Sequence, residues 1–208
     1  MIALQGVGQK LDYFIRKEKF EKLLEVGGKI DQSIDQLNHL LNNLLNWATS
    51  QNQSIPYHPE VLNAKALVEE NMELYKSLAE AKQVNFENGI EDASIYADVN
   101  TAATVFRNVL SNALKFSPEN GTISISSEHK DQNVLIKVTD QGQGMSPEQV
   151  AALFSRSSKS NVGTRGEKGF GLGLKLCQEF MDLNKGSLQV YSKLGEGTCV
   201  ELSFPKAG

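Results

Sequence analysis

The chain has 208 residues, 40% of them hydrophobic, with 21 Lys and Arg against 25 Asp and Glu for a net charge of −4. That length sets a prior of one or two domains with a sizeable core. The weakly acidic balance supplies neither the basic footprint of a nucleic-acid binder nor a polybasic anchor for a membrane surface.

No stretch approaches the roughly 18 to 20 consecutive apolar residues of a membrane span, and Met1-Ile2-Ala3-Leu4-Gln5 lacks the charged and apolar regions of a secretory signal. The first fifty residues read as two helices. Leu4, Val7, Leu11 and Phe14 are spaced 3-4-3; after the charged stretch 16–21, Ile30, Ile34, Leu37, Leu41, Leu44 and Ala48 are spaced 4-3-4-3-4. That alternation is a heptad-type seam. It fits an amphipathic hairpin packed on the next domain. It also fits half of an intermolecular four-helix bundle, favoured by the length of the seam and the Asn and Gln opposite it. The polar run 50–54, then Pro56 and Pro59, reads as a linker.

From about residue 60 the pattern turns to α+β. A helix is predicted over 61–83, with Val61, Leu62, Leu67, Val68, Leu74 and Leu78 apolar, then short strands at 84–87 and 94–97. A strong helix at 100–116 is stopped by Ser117-Pro118-Glu119-Asn120-Gly121. Strands at 122–127 and 134–139 alternate around a turn at Asp131-Gln132-Asn133. A long polar stretch over 145–168 precedes a helix at 171–184 and closing strands at 187–192 and 198–204. Cys177 and Cys199 sit in apolar runs without a CxxC neighbour, which reads as buried free thiols in a reducing compartment. His39, His58 and His129 show no metal-ligand spacing.

Four short segments can carry chemistry. Asn108, Asn112, Lys115 and Phe116 fall on one side of the 100–116 helix; Phe106, Val109, Leu110, Ala113 and Leu114 fall largely on the other. Amide oxygens can ligate a hard cation, Lys can meet phosphate and the ring can stack on a base. The same four also suit a solvated helix face. Asp140-Gln141-Gly142-Gln143-Gly144, straight after a strand, is either a turn or a carboxylate placed to accept from a purine amino group. Gly169-Phe170-Gly171-Leu172-Gly173-Leu174 opens a helix, where side-chain-free backbone N–H groups can converge on an anion. It matches neither GxxxxGK[ST] nor GxGxxG, and read alone it is a flexible loop before a helix. Gly195-Glu196-Gly197-Thr198 passes as a tight turn between strands.

Taken in order, these segments resemble the catalytic domain of sensor histidine kinases, within the ATPase superfamily of gyrase, the heat-shock chaperone and mismatch-repair proteins. Residues 108–116 are similar to the N box and 140–144 to the first glycine box. Leu153-Phe154 resembles a shortened F box, its second aromatic missing where Ser155-Arg156-Ser157 stands. Residues 169–174 resemble the GxGLGL box and 195–198 the final GxGT. Five motifs in this order over about residues 95–204 are far more specific than any one. Asn43-Leu44-Leu45-Asn46-Trp47-Ala48 also resembles the end of the second helix of the kinase dimerisation hairpin.

The resemblance implies an α+β chain: a helical dimerisation hairpin over 1–54, then a two-layer α/β sandwich of the Bergerat-type ATP-binding fold over 55–208. It implies that Asn112 ligates Mg²⁺, with Asn108 near the phosphates or the metal's water shell, Lys115 on phosphate and Phe116 bordering adenine. Asp140 would accept the adenine amino group, Gly142 and Gly144 would line the base pocket, and Gly169, Gly171 and Gly173 would hold the phosphates. Leu172, Leu174 and Thr198 complete the expected nucleotide-binding set. Residues 145–168 would act as a lid, with Lys159, Arg165 and Lys168 as candidate cations. In the full-length kinase the γ-phosphate of ATP passes to a histidine and on to a response regulator receiver domain, the two copies pairing through the N-terminal helices.

The family's His-Asp/Glu-Leu-x-x-Pro-Leu motif is not in this sequence, and His39 is followed by Leu40. The expectation is therefore a chain truncated just past the phosphoacceptor. Such a chain is cytoplasmic, makes no direct membrane contact even where its parent protein is membrane-attached, binds ATP and does not phosphorylate itself. Three rival readings bear on it. ATP-hydrolysing relatives place a Glu base where Asn108 stands. Protein-serine kinases of the anti-sigma type normally lack a long N-terminal hairpin. A scaffold without nucleotide binding sits poorly with Asn112, Lys115, Asp140 and the glycines.

Overall fold

The computed structural model describes residues 7–17, 19–20, 22–23, 26–27, 56–154, 163–164 and 173–207. The seam at 30–48, His39, the candidate lid cations Lys159, Arg165 and Lys168, and Gly169, Gly171 and Leu172 lie outside them. The chain divides into two compact units, Met1–Ile55 and Pro56–Gly208.

In the first unit, α1 spans Val7–Arg16, a single helix where the 3-4-3 spacing predicts one. Leu11 and Phe14 are half-buried, while Tyr13, Ile15 and Phe20 are exposed. The Tyr13 and Phe14 rings meet edge-on at 5.6 Å.

The second unit opens with β1 (Glu60–Asn63) and α2 (Ala64–Lys82). Val61 and Leu62 therefore belong to a strand, not to the helix predicted from 61. The reason is local: the Asn63 side chain accepts from the Ala66 N–H at 2.9 Å, so the helix starts only after it. Next come β2 (Asn85–Gly89), β3 (Ser94–Ala97) and α3 (Val99–Phe116). β4 (Thr122–Lys130) and β5 (Asn133–Asp140) form a hairpin. A six-residue helix, α4 (Pro147–Ala152), stands inside the polar stretch and is started by a capping box between Ser146 and Gln149. Then follow α5 (Gly173–Leu183), β6 (Ser187–Lys193) and β7 (Gly197–Pro205).

β1 and β3 pair antiparallel as a small separate sheet. The other five strands form a mixed sheet in the order β2-β4-β5-β7-β6, with β2 parallel to β4 and the rest antiparallel. Register puts Ile125, Val138 and Val200 in one row and Ile136 beside Leu202 in another, all buried on one face. The opposite face carries Ser126, Lys137, Glu201 and Gln189. Phe106 of α3 stacks on Phe204 of β7 at 5.8 Å, both fully buried, which fixes α3 over the apolar face. Each ring contributes about 1.5–3 kcal/mol of burial. The result is an α+β fold with helices layered on a five-stranded mixed sheet.

The start of α3 is held from two sides. Asp98 caps it, accepting from Thr101 N–H at 2.9 Å through Oδ1 and from His58 N–H at 3.0 Å through Oδ2. The buried Asn184 side chain, just past α5, accepts from the Asp98 N–H at 2.8 Å and donates to Thr101 Oγ1 at 2.8 Å. These bonds set the axial position of the helix that carries most of the polar candidates.

Candidate functional site

α3 separates its two faces as its sequence predicts. Phe106, Val109, Leu110, Ala113 and Leu114 are buried, whereas Asn108, Asn112, Lys115 and Phe116 are half-buried. Asn108 and Phe116 are eight residues apart on one helix, about 12 Å at 1.5 Å per residue. Different chemistry meets each end of that row.

At the Phe116 end stands Asp140, the last residue of β5 and almost wholly buried. Its Oδ1 accepts from Gly142 N–H at 2.8 Å and from Thr198 N–H at 3.2 Å. Among the described residues Oδ2 takes no bond, so one carboxylate oxygen is left as an acceptor. Burial pushes the Asp140 carboxyl up to about 6, and the two backbone bonds oppose that shift only in part. Gly142 packs so closely that a Cβ there would stand 2.6 Å from the Phe116 carbonyl oxygen. Asp140, Gly142, Phe116 and Thr198 therefore share one corner.

The glycines explain how two turns interlock there. The Gly195 N–H donates to the Gln143 carbonyl at 2.7 Å. A side chain on Gly144 would strike the Lys193 carbonyl, and one on Gly197 would strike the Asp140 carbonyl. Gly144 and Gly197 also hold φ of 63° and 91°, a region that glycine adopts without cost. The segment read as a tight turn thus also carries the wall behind Asp140. Thr198 reaches the site through its N–H on Asp140, while its hydroxyl lies 2.9 Å from Ser192 Oγ.

At the other end, Asn108 donates from Nδ2 to the Thr104 carbonyl at 2.9 Å. Its Oδ1 is thereby turned toward α5, where a Cβ on Gly173 would stand 2.8 Å away. Glycine at 173 lets the start of α5 approach the amide. Leu174 follows, half-buried in the first turn of α5. Between the ends, Asn112 lies one turn beyond Asn108, and Lys115 holds its Nζ 4.7 Å from the Phe116 ring centroid, in cation–π range. Leu153 and Phe154, the shortened F box, are half-buried just past α4.

Sequence reasoning misses Lys82 and Thr164. The buried Lys82 ammonium donates to the Leu114 carbonyl at 2.6 Å, the Lys115 carbonyl at 3.1 Å and Thr164 Oγ1 at 2.6 Å. A lysine in a helical stretch gives no sign of such burial, since its type is almost always exposed. Both cysteines are free thiols, but only one is buried as expected: Cys177 is fully buried and burial pushes its thiol up, whereas Cys199 on β7 is half-buried. Among the described residues, no three or more His, Cys, Asp or Glu side chains are grouped to hold a metal ion, and no helix is long and apolar enough to cross a membrane.

Residues 97–208 match the family described as Histidine kinase-, DNA gyrase B-, and HSP90-like ATPase. The sensor protein kinase GraS of Staphylococcus aureus (strain MRSA252) is 30% identical over 171 residues, 82% of this chain and 49% of GraS. The sensor protein SrrB of Staphylococcus aureus (strain N315) is 28% identical over 205 residues, 98% of this chain and 35% of SrrB. The chain thus spans half or less of the length of these relatives. Among solved structures, the Acinetobacter baumannii histidine kinase AdeS shares the fold, with a TM-score of 0.70 at 19% identity over 98% of each chain. Full-length ShkA in complex with AMPPNP gives a TM-score of 0.71 at 25% identity, over 90% of this chain and 40% of that one.

Proposed function

The chain belongs to the histidine kinase-, DNA gyrase B- and HSP90-like ATPases, on their sensor histidine kinase side, and from that premise we propose that residues 55–208 bind ATP with Mg²⁺ as a kinase catalytic domain. Residues 1–54 are then part of a dimerisation hairpin. The observation that carries the reading is Asp140: a buried carboxylate with Oδ1 taken by two backbone N–H groups and Oδ2 without a bond among the described residues, in the corner it shares with Phe116. An amino group on a purine is the donor that geometry suits.

In this reading Asp140 orients the base, Gly142 and Gly144 let it approach the backbone, and Phe116 borders its ring. Lys115 meets phosphate, and the row along α3 places Asn108 and Asn112 toward the other end of the nucleotide. There the start of α5, with Gly173 and Leu174, offers N–H groups to an anion; Gly169, Gly171 and Leu172 extend that loop in sequence. Mg²⁺, when bound, neutralises charge on the phosphates. The donor set fits it: Mg²⁺ is commonly held by one or two protein oxygens and the phosphates themselves, not by an all-protein cage. Asn112 supplies such an oxygen. Asn108 cannot serve as a base for water, because an amide takes up no proton usefully, so rapid hydrolysis is not expected.

In the whole kinase the γ-phosphate goes to a histidine and then to a response regulator, and two copies pair through their N-terminal helices in the cytoplasm. The exposed Ile15 and Phe20 give those helices apolar surface to bury. None of the chain's own histidines precedes an acidic residue: His39 is followed by Leu40, His58 by Pro59 and His129 by Lys130. The chain accordingly binds ATP without phosphorylating a histidine of its own.

Calorimetric titration with ATP, with and without Mg²⁺, tests the reading, run beside Asp140→Asn. Saturable binding that needs Mg²⁺ for full strength is expected. The variant turns a donor toward a donor and should lose about a hundredfold or more, the scale of a charged hydrogen bond replaced by an unpaired one. Equal binding by both proteins refutes the Asp140 role. Radioactive phosphate on a histidine of this chain refutes the second part.

A further inference from the structure

We propose that Lys82 and Thr164 form a clasp on the last turn of α3 that holds Lys115 in place and so positions its contact to phosphate. The clasp deepens the ATP reading and rests on it for its function, though not for its structure.

The last carbonyls of a helix need partners from outside. At the end of α3, the Ala113 carbonyl takes the Ser117 N–H at 2.9 Å. The Leu114 and Lys115 carbonyls take Lys82 Nζ. The Lys115 carbonyl also takes the Thr164 N–H at 3.1 Å, and the Thr164 hydroxyl lies 2.9 Å from the Ser117 carbonyl and 3.1 Å from that of Lys115. A positive charge at a helix C-terminus is favoured by the helix dipole. Here it also joins three places far apart in sequence, since Lys82 ends α2, Leu114 and Lys115 end α3, and Thr164 is 82 residues from Lys82.

The consequence for the site is specific. The bonded carbonyl belongs to Lys115 itself, whose side chain lies on the polar face beside Phe116. The Asp140 corner is held by other bonds, from Gly142 and Thr198. The clasp ties the carbonyls on both sides of Phe116, but the Asp140 carboxylate is fixed by its own backbone bonds, so loosening the clasp should disturb the Lys115 contact to phosphate more than the Asp140 contact to the base.

Two measurements separate the clasp from the ATP reading. Hydrogen exchange by NMR, without nucleotide, should find the residue-164 amide protected in the wild type. In Lys82→Met it should exchange about tenfold faster or more, the scale of one hydrogen bond to a charged group, with the Ile136 and Leu202 amides unchanged. Thr164→Val, at an exposed position that spares the core, should weaken Mg²⁺-ATP about tenfold while leaving adenosine within about twofold. Thr164→Ser, which keeps the hydroxyl, should restore it. A residue-164 amide that exchanges alike in wild type and Lys82→Met overturns the clasp. ATP and adenosine weakening together, or neither changing, overturns the positioning role. A wild type that binds neither overturns the ATP reading and the positioning role with it, while the exchange result still decides whether the clasp exists.

Discussion

Two neighbouring parts of the site, the Asp140 corner and the Lys115 clasp, are built by different means. The Asp140 corner is made by backbone: two N–H groups fix the carboxylate, and two glycine turns close so tightly that no side chain fits between them. The Lys115 clasp is made mainly by side chains: an ammonium from α2 and a hydroxyl from residue 164 meet the last carbonyls of α3, beside one backbone bond from the Thr164 N–H. Backbone walls cannot relax when a ligand leaves, so the corner is preorganised and costs desolvation of a carboxylate. Side-chain ties can be broken one at a time, so the clasp is the adjustable part.

The sharpest way to break the comparison is to put a methyl group into the backbone wall. Gly197→Ala forces a Cβ onto the Asp140 carbonyl at a φ of 91°. It is expected to lose more than about 3 kcal/mol, since strain and a clash with rigid backbone add. Gly195→Ala is the internal control: its φ is 82°, but nothing lies within 4 Å of the added Cβ. Only the conformational strain remains, about 1 kcal/mol. Urea unfolding of both measures the difference. Equal losses mean that the wall yields and the corner is not preorganised.

The cost of the preorganised corner shows in its pH dependence. The Asp140 carboxyl is pushed from 3.8 up to about 6 on folding, so the folded protein holds a proton that the unfolded chain has released. That contribution to stability is fully present below about 4 and is lost as pH rises through about 6. A rise of that size corresponds to about 3 kcal/mol at most. Asp140→Asn keeps an oxygen for Gly142 and Thr198 and removes the charge. It should be more stable than wild type at neutral pH by about 1–3 kcal/mol, the gap closing toward pH 4. A site that sacrifices stability for binding follows a common pattern. A gap that stays constant with pH places the raised carboxyl elsewhere.

Most of the fold was legible because α3, the β4–β5 hairpin and the closing strands have clear periodicity and strong stop signals. Where the reading failed, a local signal competed with a longer-range one. Val61 and Leu62 fit a helical register, yet Asn63 caps the helix behind them and β3 captures them as a strand. The capping box Ser146-Pro147-Glu148-Gln149 was readable as a helix start but was submerged in a polar stretch. In the site, motif order pointed to Asp140, Asn108 and the glycines. It could not show that Gly197 backs Asp140, or that Lys82 is buried, because both depend on contacts between segments far apart in sequence.

The smallest effect is expected on the opposite face of the strand that ends in Asp140. Lys137 of β5 bridges Glu128 and Glu201, each at 3.4 Å, and those pairs raise its own proton affinity. It lies three residues before Asp140, and side chains alternate along a strand, so it points away from the helices. Pairs at a sheet surface of this kind, with Lys137 and Glu201 half-buried and Glu128 exposed, are screened by salt and contribute little. If backbone alone fixes the Asp140 corner, Lys137→Met should leave Mg²⁺-ATP affinity within about twofold and shift the unfolding midpoint only at low salt. A larger loss of affinity, with the fold intact, requires that the charged face steers β5 and that the corner leans on side chains after all.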